Sequence, residues 1–158
     1  SRLIVGNTLS NHPNDKQEGV VTAQAIPTAL GKPNAAAMDN GYFSPTQIQG
    51  FETMEIDPYI AIGRDGHHRD LRALLEGEPE PPPADADHKV KMAYKLRTEV
   101  GQAIYRLRKS TVEPVFGIIK EVMGFRQFSL RGLTAAAGEW NLVCLAYNLK
   151  RLHIIHTA

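Results

Sequence analysis

Glu113 stands among fixed positive charges at helical spacing. In YRLRKSTVEPVFGIIK, Tyr105 to Lys120, a continuous helix puts Arg106, Lys109, Glu113, Gly117 and Lys120 on one face. A carboxylate between basic groups suits a polyanion. Gly117, one turn on, takes a side chain off that face and would let a phosphate backbone or a second chain come close. Val112, Val115, Phe116, Ile119 and Met123 form the apolar side that anchors the helix in a core. An ordinary amphipathic core helix with a charged wet side has the same spacing. A second carboxylate, Asp39, directly follows the strand-like NAAAM, where open α/β sheets collect their chemistry; a turn aspartate before Asn-Gly reads the same way. Brought together, Asp39 and Glu113 could share hard cations such as Mg²⁺, and two such ions about 4 Å apart clamp the attacking and leaving oxygens of a phosphodiester.

Other reactive side chains form weaker sets. His67 and His68, with Asp65 and Asp70, are zinc-type residues, but adjacent histidines in a polar loop point apart and Cys144 is remote. His153 and His156 read as exposed helix-end residues. Tyr42 and Phe43 are expected to pack beneath the turn after Asp39 rather than stack on bases. Arg126 and Arg131, within FRQFSLRG, are better candidates for DNA contact, with solvated surface arginines as the alternative. P-loop, zinc-finger and dinucleotide-binding fingerprints are absent from the sequence.

Several elements must position these groups. Arg2 to Thr8 (RLIVGNT) reads as a strand, and Asn14 with Gln17 as a capping box for a helix from Asp15 toward Leu30 that Pro27 kinks or ends. Asn34 to Met38 is a second strand. Ser44-Pro45 with Gln47 starts a helix whose stripe is Ile48, Phe51 and Met54, and Asp57-Pro58 ends it before a third strand, Tyr59 to Ile62. Residues from about 63 to 87 form an acidic, proline-rich connector, with a short helix at Leu71 to Leu75. Helix resumes at about Lys89, and Lys89 to Lys109 and Val112 to Met123 read as one helix kinked at Pro114 or as two. A last helix spans Leu133 to Leu152, with Trp140, Val143, Cys144 and Tyr147 on one side and Leu142, Leu145, Leu149 and Leu152 widening a mostly buried surface.

Charge is more informative in its distribution than in its total. The 158 residues carry a formal net charge of +1, but residues 65–87 hold seven acids against two bases and residues 89–131 ten bases against three acids. The basic half is the expected nucleic-acid face. No 18-residue apolar run suggests a membrane helix, and the one cysteine rules out an internal disulfide framework and points to a cytoplasmic chain with a buried thiol.

MDNGYFSPTQI at 38–48, YRLRKSTVEPVFGIIKEVMGFRQFSLRGL at 105–133 and GEWNLVCLAYNLKRL at 138–152, with NHPNDKQ at 11–17, resemble the catalytic domain of bacterial insertion-sequence DDE transposases. The resemblance implies a ribonuclease H-like α/β fold, with Asp39 as the second catalytic aspartate and Glu113 as the catalytic glutamate, both ligands for Mg²⁺ or Mn²⁺. It also implies that Tyr105, Lys109 and Lys120 match the tyrosine, basic residue and lysine around that glutamate, with lysine at 109 where relatives more often have arginine; the charge reading adds Arg106, Arg126 and Arg131 to them as expected phosphate or DNA contacts. Transposon-end and target DNA are the implied partners, together with a second copy or an intact transposase subunit. The family's first catalytic aspartate lies on an initial strand that precedes a segment like RLIVGNTLSNHPND. Residues 1–158 are therefore expected to form a partial catalytic domain that lacks two core strands and hides an open sheet edge near RLIVGNT by dimerisation or strand exchange. Independent cleavage is expected to be absent. The alternative is a noncatalytic DNA-binding or subunit-interaction fragment.

Overall fold

The computed structural model describes residues 2–63 and 80–157. It divides into two units: Asn14–Gly19 with Pro33–Arg108, and Ser1–Pro13 with Val20–Lys32 and Lys109–Ala158. The zinc-type residues 65–70 and the expected helix at Leu71 to Leu75 lie outside the described residues, as does most of the acidic connector. Its described end, 80–87, carries no helix or strand before the next helix begins.

The first unit is built on a parallel pair, β1 (Ala35–Met38) and β2 (Asp57–Ile60), joined through α2 (Pro45–Thr53). The sheet among the described residues is this pair. Ser44 caps α2 as its sequence requires: its hydroxyl accepts the Gln47 amide at 3.2 Å, and Pro45 follows at the first turn. Ile48 and Phe51 are buried along the α2 stripe. The helix stops in a Schellman arrangement, with Glu55 at φ 54°, Glu55 N bonded to Glu52 O and Ile56 N to Phe51 O.

β2 starts two residues earlier than Tyr59 and runs through Pro58. The reason is directional. Asp57 N and Ala61 N donate to Asn34 O and Met38 O on the β1 side, so the amide that Pro58 lacks would face the other edge. That edge is occupied by α3 (His88–Arg97): Ile60 N donates to Met92 Sδ at 3.4 Å and Lys95 Nζ donates to Pro58 O at 2.9 Å. Ile48, Ile60 and Met92 form the core there, with Tyr42 and Phe43 packed against it as expected. Each such fully buried aliphatic side chain contributes about 1.5–3 kcal/mol.

The break in the long basic helix is at Thr98, not Pro114. Thr98 leaves helical geometry at ψ 155°, and α4 (Glu99–Gly117) then continues through Pro114. Thr98 Oγ1 accepts the Gly101 amide at 3.1 Å and donates to Lys95 O at 2.8 Å, which caps α4 and closes α3 together. The corner is so tight that a Cβ on Gly101 would lie 1.9 Å from Lys95 O. After Gly117 the chain widens into a π-helical turn, Ile118–Val122.

In the second unit, Arg2 to Thr8 is not a strand. Its polar backbone groups meet side chains of α5 (Leu133–Thr157): Ile4 N donates to Asn148 Oδ1 at 2.9 Å, Asn148 Nδ2 to Ile4 O at 2.7 Å, and Tyr147 OH to Arg2 O at 3.0 Å. One side-chain amide thus supplies both bonds a neighbouring strand would give. The open edge expected near RLIVGNT is accordingly not formed. The expected helix from Asp15 to Leu30 is also shorter: α1 spans Glu18–Gln24, followed by a 3-10 turn at Thr28–Leu30. Asn14 does not build a capping box with Gln17; its Oδ1 accepts from Lys16 N at 3.2 Å, as in an Asx turn.

α5 runs five residues past Leu152 and does not bury the leucines expected to widen its core face. Cys144 and Tyr147 are buried, but Leu142 is 68% and Leu149 59% exposed, with Leu145 and Leu152 also open. Those four leucines lie on the side of the helix away from Cys144 and Tyr147. Burial also raises the pKa of the Cys144 thiol, in keeping with an inert core group.

Candidate nucleic-acid interface

Asp39 leaves β1 in extended geometry, φ −72° and ψ 164°, and opens a 3-10 turn, Asn40–Tyr42, by accepting the Tyr42 amide at 3.0 Å through its carbonyl. Its carboxylate is not bare. Arg108 Nη1 lies 2.7 Å from Asp39 Oδ1, and the Arg108 guanidinium carbon also sits 5.4 Å from the centre of the Tyr105 ring. Tyr42, next in this acidic corner, has a raised pKa, first through burial and then through the charges of Asp15, Asp39 and Glu18.

Glu113 belongs to the second unit, as do Lys109, Lys120, Arg126 and Arg131. Lys109 and Glu113 stand four residues apart on α4 and both are exposed, so a charged wet face is present there. Beyond Gly117 the spacing changes. The π turn breaks the uniform 100° step that would put Lys120 on the Glu113 face, although Lys120 is itself exposed. Of the expected apolar side, Ile119 is buried and Val115 and Met123 half-buried, whereas Val112 and Phe116 are largely exposed. Tyr105 and Arg106 lie in the first unit's part of α4, and Arg106 Nη2 reaches Gln102 Oε1 at 3.4 Å.

Arg126 and Arg131 lie between the π turn and α5. Arg126 pairs with Glu121 at 2.5 Å, both side chains well exposed, an interaction that contributes at most about 1 kcal/mol. Arg131 is exposed. The segment is held by an aromatic cluster: Phe125 meets Phe128 edge-on at 5.3 Å, both lie near Trp140, and Phe116 stacks on Trp140 at 6.2 Å. Glu139 completes the anchorage, accepting the Ser129 amide at 2.9 and 3.0 Å and the Leu130 amide at 3.0 Å. His153 and His156 are exposed near the end of α5, as their positions suggest.

Two residues of consequence escape the sequence reading. Arg108 is one base among many in 89–131, and its pairing with Asp39 depends on a contact 69 positions away in the chain. Glu139 lies in the GEWNLVCLAYNLKRL stretch, but nothing there gives it a role; only the fold of the loop brings two amides to it.

Among the described residues, no group of three or more His, Cys, Asp or Glu side chains could hold a metal ion. Asp39 already faces a guanidinium, so the donor set does not fit a divalent metal as it stands.

Residues 82–153, a little under half of the chain, match the family model described as Transposase DDE domain. Over that stretch the chain is similar to DDE transposases. It includes Glu113 and the whole basic run, and it leaves Asp39 outside. No curated protein and no solved structure matches. Among the described residues, no helix is long and apolar enough to cross a membrane.

Proposed function

We propose that the chain is part of the catalytic domain of a bacterial insertion-sequence DDE transposase, with a ribonuclease H-like core, working on transposon-end and target DNA in the cytoplasm. The observation that carries this reading is the transposase DDE match over 82–153, the stretch that contains Glu113 and the densest positive charge. The α/β architecture, with Asp39 at the carboxyl end of β1, is compatible with it.

In this reading Asp39 and Glu113 are the catalytic carboxylates. Tyr105, Arg106, Lys109, Lys120, Arg126 and Arg131 are the groups that meet phosphate, where charge supplies most of the affinity and little of the sequence choice. Arg108 joins them as a guanidinium shared between Asp39 and the DNA side. Mg²⁺ or Mn²⁺ serves the family's cleavage and strand-transfer chemistry. In this reading the chain's own contribution is DNA binding and the two carboxylates themselves. We infer that residues 1–158 by themselves do not cleave or join DNA.

A noncatalytic fragment that binds DNA or joins another transposase subunit is the second reading. The pairing of Asp39 with Arg108 and the exposed leucines of α5 favour it. One assay separates the two: the purified folded chain with nicked and terminal-repeat DNA, in Mg²⁺ and in Mn²⁺. Binding without turnover is expected. Turnover abolished by Glu113→Gln would instead show that the chain, or a second copy, supplies the missing ligand.

A further inference from the structure

The Glu139 carboxylate lies on the first turns of α5 and takes hydrogen bonds from two consecutive backbone amides, Ser129 and Leu130. The segment they belong to is hinged by glycines at both ends, Gly124 at φ 72° and Gly132 at φ 85°, where other residues would be strained. On one side Phe125 and Phe128 rest near Trp140; on the other Glu139, the neighbour of Trp140 in sequence, ties down the backbone. Arg126 and Arg131 bracket the tied amides.

We propose that Glu139 is a positioning residue for DNA binding: by fixing the backbone at Ser129 and Leu130 it sets where Arg126 and Arg131 meet a phosphate backbone. This rests on the DNA-binding reading above. The carboxylate is otherwise out of place, since an acid within a basic surface weakens attraction for a polyanion. Its pKa is lowered by the Leu130 and then the Ser129 amide bond, so the tie persists at pH values where an ordinary glutamate is already protonated.

Glu139→Gln gives two opposite expectations. Removing a negative charge should tighten binding to DNA if charge alone matters. If Glu139 positions the arginines, binding should weaken, because a neutral amide oxygen accepts from the two backbone groups more weakly than a carboxylate and the amide's NH2 cannot replace the second bond from Ser129. We expect affinity for a random-sequence duplex to fall about fivefold and the slope of log K against log salt to become shallower by about one to two. Amide exchange at Ser129 and Leu130 should accelerate while that of β1 and β2 stays unchanged. Equal or tighter binding by the variant, with the wild type binding normally, overturns the positioning role alone; a wild-type chain that does not bind the duplex at low salt overturns the DNA reading with it. If Glu139→Gln does not fold, the wild type still decides. The Ser129 and Leu130 amide resonances should titrate together with the Glu139 carboxyl, below the usual glutamate range, and independent titration overturns the proposal.

Discussion

Arg108 and Asp39 form an ion pair at 2.7 Å that ties α4 to the turn after β1, with Arg108 only 15% exposed and Asp39 60% exposed. The asymmetry sets the energetics. Water screens the carboxylate, but losing it leaves a largely desolvated guanidinium. Arg108→Gln and Asp39→Asn should each destabilise the chain by about 1 kcal/mol, with a coupling of about 0.5–1 kcal/mol in a double-mutant cycle. Urea unfolding of the four proteins measures it; additive effects would mean that the pair contributes nothing.

Gly101 and Gly117 should respond oppositely to alanine. At Gly101 the new Cβ would meet Lys95 O at 1.9 Å, so Gly101→Ala should destabilise by roughly 2 kcal/mol or more by forcing the α3–α4 corner open. At Gly117, with φ −58° and nothing within 4 Å, Gly117→Ala should gain up to about 1 kcal/mol from helix propensity. If a phosphate backbone approaches that face, the stabilised Gly117→Ala variant should nevertheless bind DNA more weakly. Thermal melts and duplex binding on the same samples separate the effects.

Tyr59 should limit stability in alkali. Burial, then the hydrogen bond to Asp57, then the Asp57 charge push its pKa up to about 12, against 10.0 for an ordinary phenol. Folding therefore holds the proton, and the contribution is intact below about pH 10 and lost as pH rises through about 12. Urea unfolding of wild type and Tyr59→Phe across that window should show the wild type losing stability faster with pH. Parallel curves would exclude Tyr59 as the source.

DNA binding should be governed by salt. Neutralising Arg106, Lys109, Lys120, Arg126 and Arg131 together should flatten the log K against log salt plot by up to about 0.9 for each phosphate that no longer meets a cation, and weaken binding across unrelated sequences alike. Binding indifferent to salt, or unchanged in the five-fold variant, would contradict the assignment of these residues.

Local signals were the legible ones. Ser44-Pro45 with Gln47, and the turn formers around NAAAM, identify α2 and β1 because caps and turns are decided within a few residues. Asp39 and Glu113 stand out through their neighbours in sequence, and so does the basic run. Errors came where distant partners decide. RLIVGNT has strand composition, but its hydrogen bonds go to Asn148 and Tyr147 side chains. Pro114 looks like a helix breaker, yet the break falls at Thr98, where a side-chain cap and a glycine without a Cβ allow a sharp corner. The α5 leucines have core composition and are exposed, because sequence gives the hydrophobic stripe and not what lies against it.

The clasp between Asn148 and Ile4 joins positions 144 apart. Loop closure over that distance is slow and entropically costly compared with the β1–α2–β2 crossover, whose pieces are close in sequence. During synthesis the sheet-bearing unit can therefore consolidate first. The backbone of residues 2–4 waits in water until α5 has emerged, so this stretch is secured long after it is made.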